Sequence, residues 1–218
     1  MDADAIELRV LGSLIEKQRT TPDVYPLSLN ALRLACNQAT NRDPVVEYDE
    51  PTIRAALDRL GRRGWTRLAS GATSRAIKYR HLLDEVLKLD GRDSSLLAVL
   101  MLRGPQTPGE LNQRSERLYR FGSLEEVERA LVGLVERDLV EGLSRRPGQK
   151  EQRYRQRLGG EGGEGGAERE GAAGDQVAWE VDGAAPVPGP RRASVEERVA
   201  AIEERVAAME EQLRRLSG

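Results

Sequence analysis

Residues 52–80 read TIRAALDRLGRRGWTRLASGATSRAIKYR, and the fold turns on how this stretch is parsed. In its first half Ile53, Ala56, Leu57 and Leu60 recur at i, i+3, i+4 and i+7. That spacing makes one buried helical stripe and turns Arg54, Asp58, Arg59, Arg62 and Arg63 outward. Pro51 suits the first helical turn, and Gly64 marks the helix end. Ser70-Gly71-Ala72-Thr73-Ser74 then reads as a turn between two strands, with Ile77 and Tyr79 alternating against Lys78 and Arg80. The stretch is a helix followed by a two-stranded wing. It carries eight basic residues (Arg54, Arg59, Arg62, Arg63, Arg67, Arg75, Lys78, Arg80) and one acid, Asp58, a net +7 in a chain of net -2.

Upstream, Ala5 to Lys17 predicts a first helix with Ile6, Val10, Leu11, Leu14 and Ile15 on a broad apolar face. TTPDVYPL breaks it. Ser28 is an N-cap for a second helix whose Leu29, Leu32, Cys36 and Ala39 share a face, Cys36 as a small buried hydrophobe. Helix, helix, turn, helix, wing is the order of a winged helix-turn-helix, whose third helix enters the DNA major groove while the wing touches the flanking backbone.

Downstream the order repeats. Leu82 to Leu89 predicts a short connecting helix, and Asp93 or Ser94 opens an apolar helix that Gly104-Pro105 ends. Thr107-Pro108-Gly109-Glu110 and Ser123-Leu124-Glu125-Glu126 read as capping boxes, the second opening a helix with Leu124, Val127, Leu131 and Leu134 buried. A second hairpin turns at Pro147-Gly148. A shift of 74 residues places Ile53 on Val127, Ala56 on Ala130, Leu57 on Leu131, Leu60 on Leu134, Arg63 on Arg137 and Trp65 on Leu139. Core positions match in kind, which indicates two related modules. The outward positions differ. Residues 123–138 hold five acids and two bases, net -3, whereas the second wing, residues 144–157, has Arg145, Arg146, Lys150, Arg153, Arg155 and Arg157 against Glu151, net +5.

The chain has 218 residues, 4% of them aromatic and 32% charged, which favours small helical modules over a large sandwich or barrel. A single cysteine, Cys36, excludes an internal disulfide. No apolar run is long enough to cross a bilayer, and MDADAIELRV opens acidic rather than as a secretory segment, so a soluble cytoplasmic protein without a membrane partner is expected. Residues 1–158 are net +4 and residues 159–218 net -6.

Four stretches carry a family resemblance: EKQRTTPDVYPLSLNALRLACNQATNRDPV (16–45), SGATSRAIKYRH (70–81), LRGPQTPGELNQRSERLYRF (102–121) and PGQKEQRYRQRL (147–158). Over about residues 5–158 the chain resembles the YceH-like family of bacterial proteins. The resemblance implies a tandem winged-helix fold and carries little about biochemical role. It also draws attention to Asn30, Asn37, Gln38, Asn41 and Arg42, which either face DNA or a partner, or cap helices and tie the connection to the core.

Beyond Leu158, residues 159–193 contain ten glycines, three prolines and seven acids, the composition of a flexible linker. From Ser194, Val195, Val199, Ile202, Val206, Met209, Leu213 and Leu216 alternate spacings of four and three, a heptad seam. In a parallel pair Arg198 would meet Glu203, and Arg205 would meet Glu210, and valine at a favours two strands. The alternative is a helix that pairs weakly or packs on its own domain.

The expected architecture is mainly α with small β-hairpin wings: tandem winged helix-turn-helix domains plus a C-terminal coiled-coil helix. The first module spans residues 1–82, the second 83–158, the linker 159–193 and the heptad helix 194–218. With one histidine, His81, at the wing's end in a solvent-facing or capping role, there is no Ser-His-Asp set, no zinc spacing and no phosphate-binding glycine motif, so neither enzyme activity, metal nor cofactor is expected. The leading expectation is duplex DNA binding, with a transcription-regulatory use left open, by a homodimer paired through the C-terminal helix. Thr52, Arg54, Arg59, Arg62, Arg63, Arg75, Lys78, Arg80, Arg145, Arg146, Lys150, Arg153 and Arg155 are the expected nucleic-acid contacts. The alternative is a non-catalytic adaptor that uses the acidic third helix of the second module to meet a protein partner.

Overall fold

The first helix, α1 (Ala5–Thr20), starts at Asp4, whose carboxylate accepts the Glu7 N–H at 2.8 Å while the Glu7 carboxylate accepts the Asp4 N–H at 2.8 Å. This closed capping box satisfies two otherwise orphaned donors. In the computed structural model, which describes residues 3–69, 77–145 and 151–159, the chain is mainly helical with small antiparallel strand pairs. After α1 come β1 (Leu27–Ser28), α2 (Leu29–Cys36), α3 (Glu50–Arg62), β2 (Thr66–Leu68), β3 (Lys78–His81) and α4 (Leu83–Val86). The order then recurs as α5 (Gly91–Arg103), α6 (Pro108–Ser115), α7 (Leu124–Glu136), β4 (Val140–Gly142) and β5 (Tyr154–Gln156).

The offset of 74 carries α3 onto α7 and β2 onto β4 end to end. The buried stripes coincide: Ile53, Ala56, Leu57 and Leu60 are buried, as are Val127, Ala130, Leu131 and Leu134. Both helices stop at a left-handed residue, Gly64 at φ 73° and Asp138 at φ 55°, which directs the chain into the following strand. Glycine adopts this conformation without steric cost, and aspartate is among the few other residues that tolerate it.

One apolar core runs through both sets of helices, from Ala3 to Leu158. At its centre α1 packs on α5, and the approach is close: a Cβ at Gly12 would lie 2.8 Å from Leu102 Cγ. The Ala3 N–H donates to the Leu158 carbonyl at 2.9 Å, tying the start of the unit to its end. Strand order in the first sheet is β1-β3-β2, with Leu27 opposite Tyr79 and Thr66, Arg67 and Leu68 opposite His81, Arg80 and Tyr79. The second sheet pairs β4 with β5, and a bridge between Gln106 and Tyr154 stands where β1 stands in the first.

Several expectations need correction. Helix α2 ends at Cys36, so Ala39 is exposed and Ala35 fills the face instead. Helix α5 begins at Gly91 because Asp90, not Asp93 or Ser94, caps it through the N–H groups of Arg92 and Asp93. Ser123 makes no side-chain cap. The Glu126 carboxylate reaches past it to the Gly122 N–H at 2.8 Å, and Leu124 is 40% exposed. Ile77 is exposed, so the buried face of β3 belongs to Tyr79 and His81. The two hairpin turns, residues 70–76 and 146–150, and the linker and heptad segments lie outside the described residues, and with them Arg75, Arg146, Lys150, Val195, Val199, Ile202, Val206, Met209, Leu213 and Leu216. Among the described residues no helix is long and apolar enough to cross a membrane.

Candidate nucleic-acid interface

Helix α3 presents two kinds of arginine. Arg54 and Arg62 stand on the side opposite the buried stripe and are exposed. Arg59 and Arg63 lie against the start of α1, where Arg59 binds Asp4 at 2.7 Å and Glu7 at 3.2 Å, and Arg63 binds Glu7 at 3.4 Å. The Glu7 side chain is 1% exposed, and these two guanidinium groups and the Asp4 N–H are its partners. Arg63 also lies over the Trp65 ring, 5.8 Å from its centroid. The second half repeats this clamp in smaller form: Arg137 ends α7 and binds Asp93, in the first turn of α5, at 2.9 Å. Arg59 and Arg63 therefore have a structural function that their outward helical phase conceals. Thr52 is half-buried, its N–H donating to the Asp49 cap at 2.9 Å.

The first sheet also carries basic residues. Arg67 and Arg80 face each other across β2 and β3 on the outer side, a like-charge pair of the kind that destabilises a ladder unless an anion intervenes. Arg80 is bound by Glu85. Lys78 is half-exposed opposite Ser28. Arg54, Arg62, Arg67 and Lys78 have no carboxylate within ion-pair distance among the described residues.

The second wing is different. Arg153 binds Glu110 at 3.0 Å and the Pro105 carbonyl at 2.8 Å, Arg155 binds Glu141, and Arg157 binds Asp138 at 2.6 Å. Arg145 alone among its described arginines stays exposed without an ion pair. The structure thus gathers Arg54, Arg62, Arg67, Lys78 and Arg80 on α3 and the first sheet, and it leaves the second wing's described charge largely neutralised.

The polar residues around α2 tie the fold together. Asn37 exchanges two hydrogen bonds with the Tyr48 backbone, at 2.8 and 2.9 Å. Arg42 is buried and grips both Glu16 oxygens, at 3.1 and 2.6 Å, and the Ala35 carbonyl. That grip holds the Glu16 carboxyl below its usual range against the opposing effect of burial. Cys36 is buried, and desolvation pushes its thiol up to about 11, which makes it unreactive at neutral pH.

His81 is 2% exposed rather than solvent-facing. Its backbone N–H donates to Tyr25 Oη at 2.9 Å, and its ring Nε2 lies 2.7 Å from Gln18 Oε1. With the proton on Nε2, Nδ1 has no partner. Burial lowers the pKa, with Arg80 and Arg19 acting in the same sense and Asp84 and Glu85 against it. A reading that ends the strand at Arg80 misses this: the strand runs one residue further, and the alternation that buries Tyr79 buries His81 as well.

Comparison with known proteins gives a family. The model described as protein of unknown function, DUF480, matches residues 3–149. A UPF0502 protein of Citrifermentans bemidjiense is 52% identical over 160 residues, covering 72% of this chain and 74% of the relative. One from Solibacter usitatus is 51% identical over 158 residues, 72% and 76% of the two chains, and one from Pectobacterium carotovorum is 44% identical over 176 residues, 78% and 83%. The chain belongs to the DUF480 family of bacterial UPF0502 proteins, with which its resemblance to YceH-like sequences is consistent.

Proposed function

We propose that the protein is a duplex-DNA-binding protein built of tandem winged helix-turn-helix modules, and that it contacts DNA through α3 and the first sheet. What supports the reading is the segregation of its charge. Among the described residues Arg54, Arg62, Arg67 and Lys78 lack carboxylate partners, while the second wing's Arg153, Arg155 and Arg157 each have one. Arg67, Lys78 and Arg80 would bind phosphates and set the register, and Arg54 and Arg62 on α3 would approach base edges. Arg59 and Arg63 leave the contact set. Arg145 would extend it, as would Arg75, Arg146 and Lys150, which lie outside the described residues. Pairing through the Val195–Leu216 heptad would double the contacts. Regulation of transcription is one use such binding would serve.

Fluorescence anisotropy of the full chain with labelled random duplex tests this between about 50 and 200 mM salt, where neutralising several phosphates predicts a steep log-log loss of affinity. Lys78→Gln should weaken binding uniformly across sequences and reduce the salt slope by about one. Flat salt dependence, or no binding at low salt, would remove the reading.

A second reading, a protein-interaction adaptor, is favoured by α7 alone. Its outer face exposes Val132 at 57% and Val135 at 42% beside Glu128 and Glu136, a surface suited to another protein chain rather than to phosphate.

A further inference from the structure

We propose that the cleft lying between α1, the turn after α2, α5 and α6 binds a small organic phosphate. The cleft has a volume of about 640 Å³, within the range of small-molecule sites, and none of its lining residues belongs to α3 or the first sheet. All its lining residues except Val99 come from 16–41 and 102–118, within the two longest stretches quoted above for the family resemblance.

Four cations line it, Lys17, Arg103, Arg114 and Arg117, against two acids, Glu16 and Glu116. Both acids are already engaged by arginines outside the lining: Glu16 by Arg42 at 2.6 Å and Glu116 by Arg120 at 3.1 Å. The cations are poorly compensated. Lys17 reaches Glu16 and Gln38 only at 3.4 Å. Arg114 lies 3.6 Å from Glu110, whose nearer partner is Arg153 at 3.0 Å. Arg103 has no carboxylate within ion-pair distance among the described residues and donates to the Asn41 side-chain carbonyl, which a left-handed backbone at φ 59° presents to it.

Partial burial first, and then the neighbouring charges of Arg114 and Arg42, lower the Arg103 pKa, with Asp43 and Glu16 acting against them, so part of the shift is crowding by its own sign. A dianion placed between Arg103 and Arg114 would remove that crowding, and guanidinium forks match phosphate oxygens in pairs. Val99, Leu102 and Leu118 provide an apolar wall for the body of the ligand.

Titration of the full chain with inorganic phosphate and with phenyl phosphate, followed by protein-observed NMR at constant ionic strength, tests the assignment. The expected result is saturable binding of phenyl phosphate, about tenfold tighter than inorganic phosphate, which is about 1.4 kcal/mol. Arg103→Gln and Arg117→Gln should each weaken it several-fold, and Lys78→Gln should leave it unchanged. Arg117 is exposed, so its replacement leaves packing intact and decides the matter if Arg103→Gln does not fold. Absence of saturation, equal affinity for the two probes, unchanged affinity in Arg117→Gln, or an equal loss in Lys78→Gln would each overturn the proposal.

Discussion

Helix α3 turns Arg54, Asp58, Gly61 and Arg62 outward, and at the same positions α7 turns Glu128, Val132, Val135 and Glu136 outward. Inward, the two helices are near copies, since a buried stripe must fill the same space against the preceding helices. Outward, packing does not dictate the residue, and the two faces differ in charge. The scaffold therefore carries an arginine-bearing face and an acid-and-valine face, and the proposed phosphate contact falls on the first.

The largest expected effect would break the symmetry of the clamps. Arg59→Ala combined with Arg63→Ala strands the buried Glu7 carboxylate and should cost about 3–5 kcal/mol in urea unfolding. Arg137→Ala strands Asp93, whose side chain is 17% exposed and reachable by water, and should cost about 1 kcal/mol. Comparable losses in the two would show that the first clamp is no deeper than the second. Charge reversal at Arg59 and Arg63 thus probes folding before it probes DNA.

An intermediate effect should separate the two sheets by pH. The residue opposite Thr66 is His81, and the residue opposite the equivalent Val140 is Gln156. The His81 pKa is depressed in the folded state, so below its ordinary value of about 6.5 the unfolded chain binds more protons. The associated stability is present above that pH and is lost as pH falls from there toward the folded pKa. Hydrogen exchange, corrected for intrinsic rate, should show β2 and β3 losing protection between about pH 7.5 and 5.5 while β4 and β5 keep theirs. Equal loss in both sheets would sever the effect from His81.

The smallest effect concerns the facing arginines. Arg67→Gln should leave stability unchanged or raise it by a few tenths of a kcal/mol, since it relieves a cross-strand repulsion. A clear loss of melting temperature would mean that Arg67 supports the fold.

The repeat and its buried stripes were legible in the sequence, because helical periodicity records which residues meet the core. Partnerships across the chain were not. Arg59 and Asp4 are 55 residues apart, and periodicity says only that Arg59 points away from its own helix's stripe, not that α1 waits there. Asp4 and Asp90 are ordinary N-cap residues that a closer reading of the helix starts would have found. His81 is missed when the strand is read as ending at Arg80; carried one residue further, its alternation puts His81 on the buried side with Tyr79. The cleft was hidden because its walls come from stretches that meet only in the folded chain.

The most direct test of the central claim gives α3 the charges that α7 carries. Arg54→Glu with Arg62→Glu installs the acids found at Glu128 and Glu136 without touching the clamp or the core. Anisotropy of the full-length variant at about 50 mM salt should show affinity for random duplex reduced at least about 100-fold, with an unchanged thermal midpoint. Undiminished affinity with the fold intact would contradict DNA binding through α3.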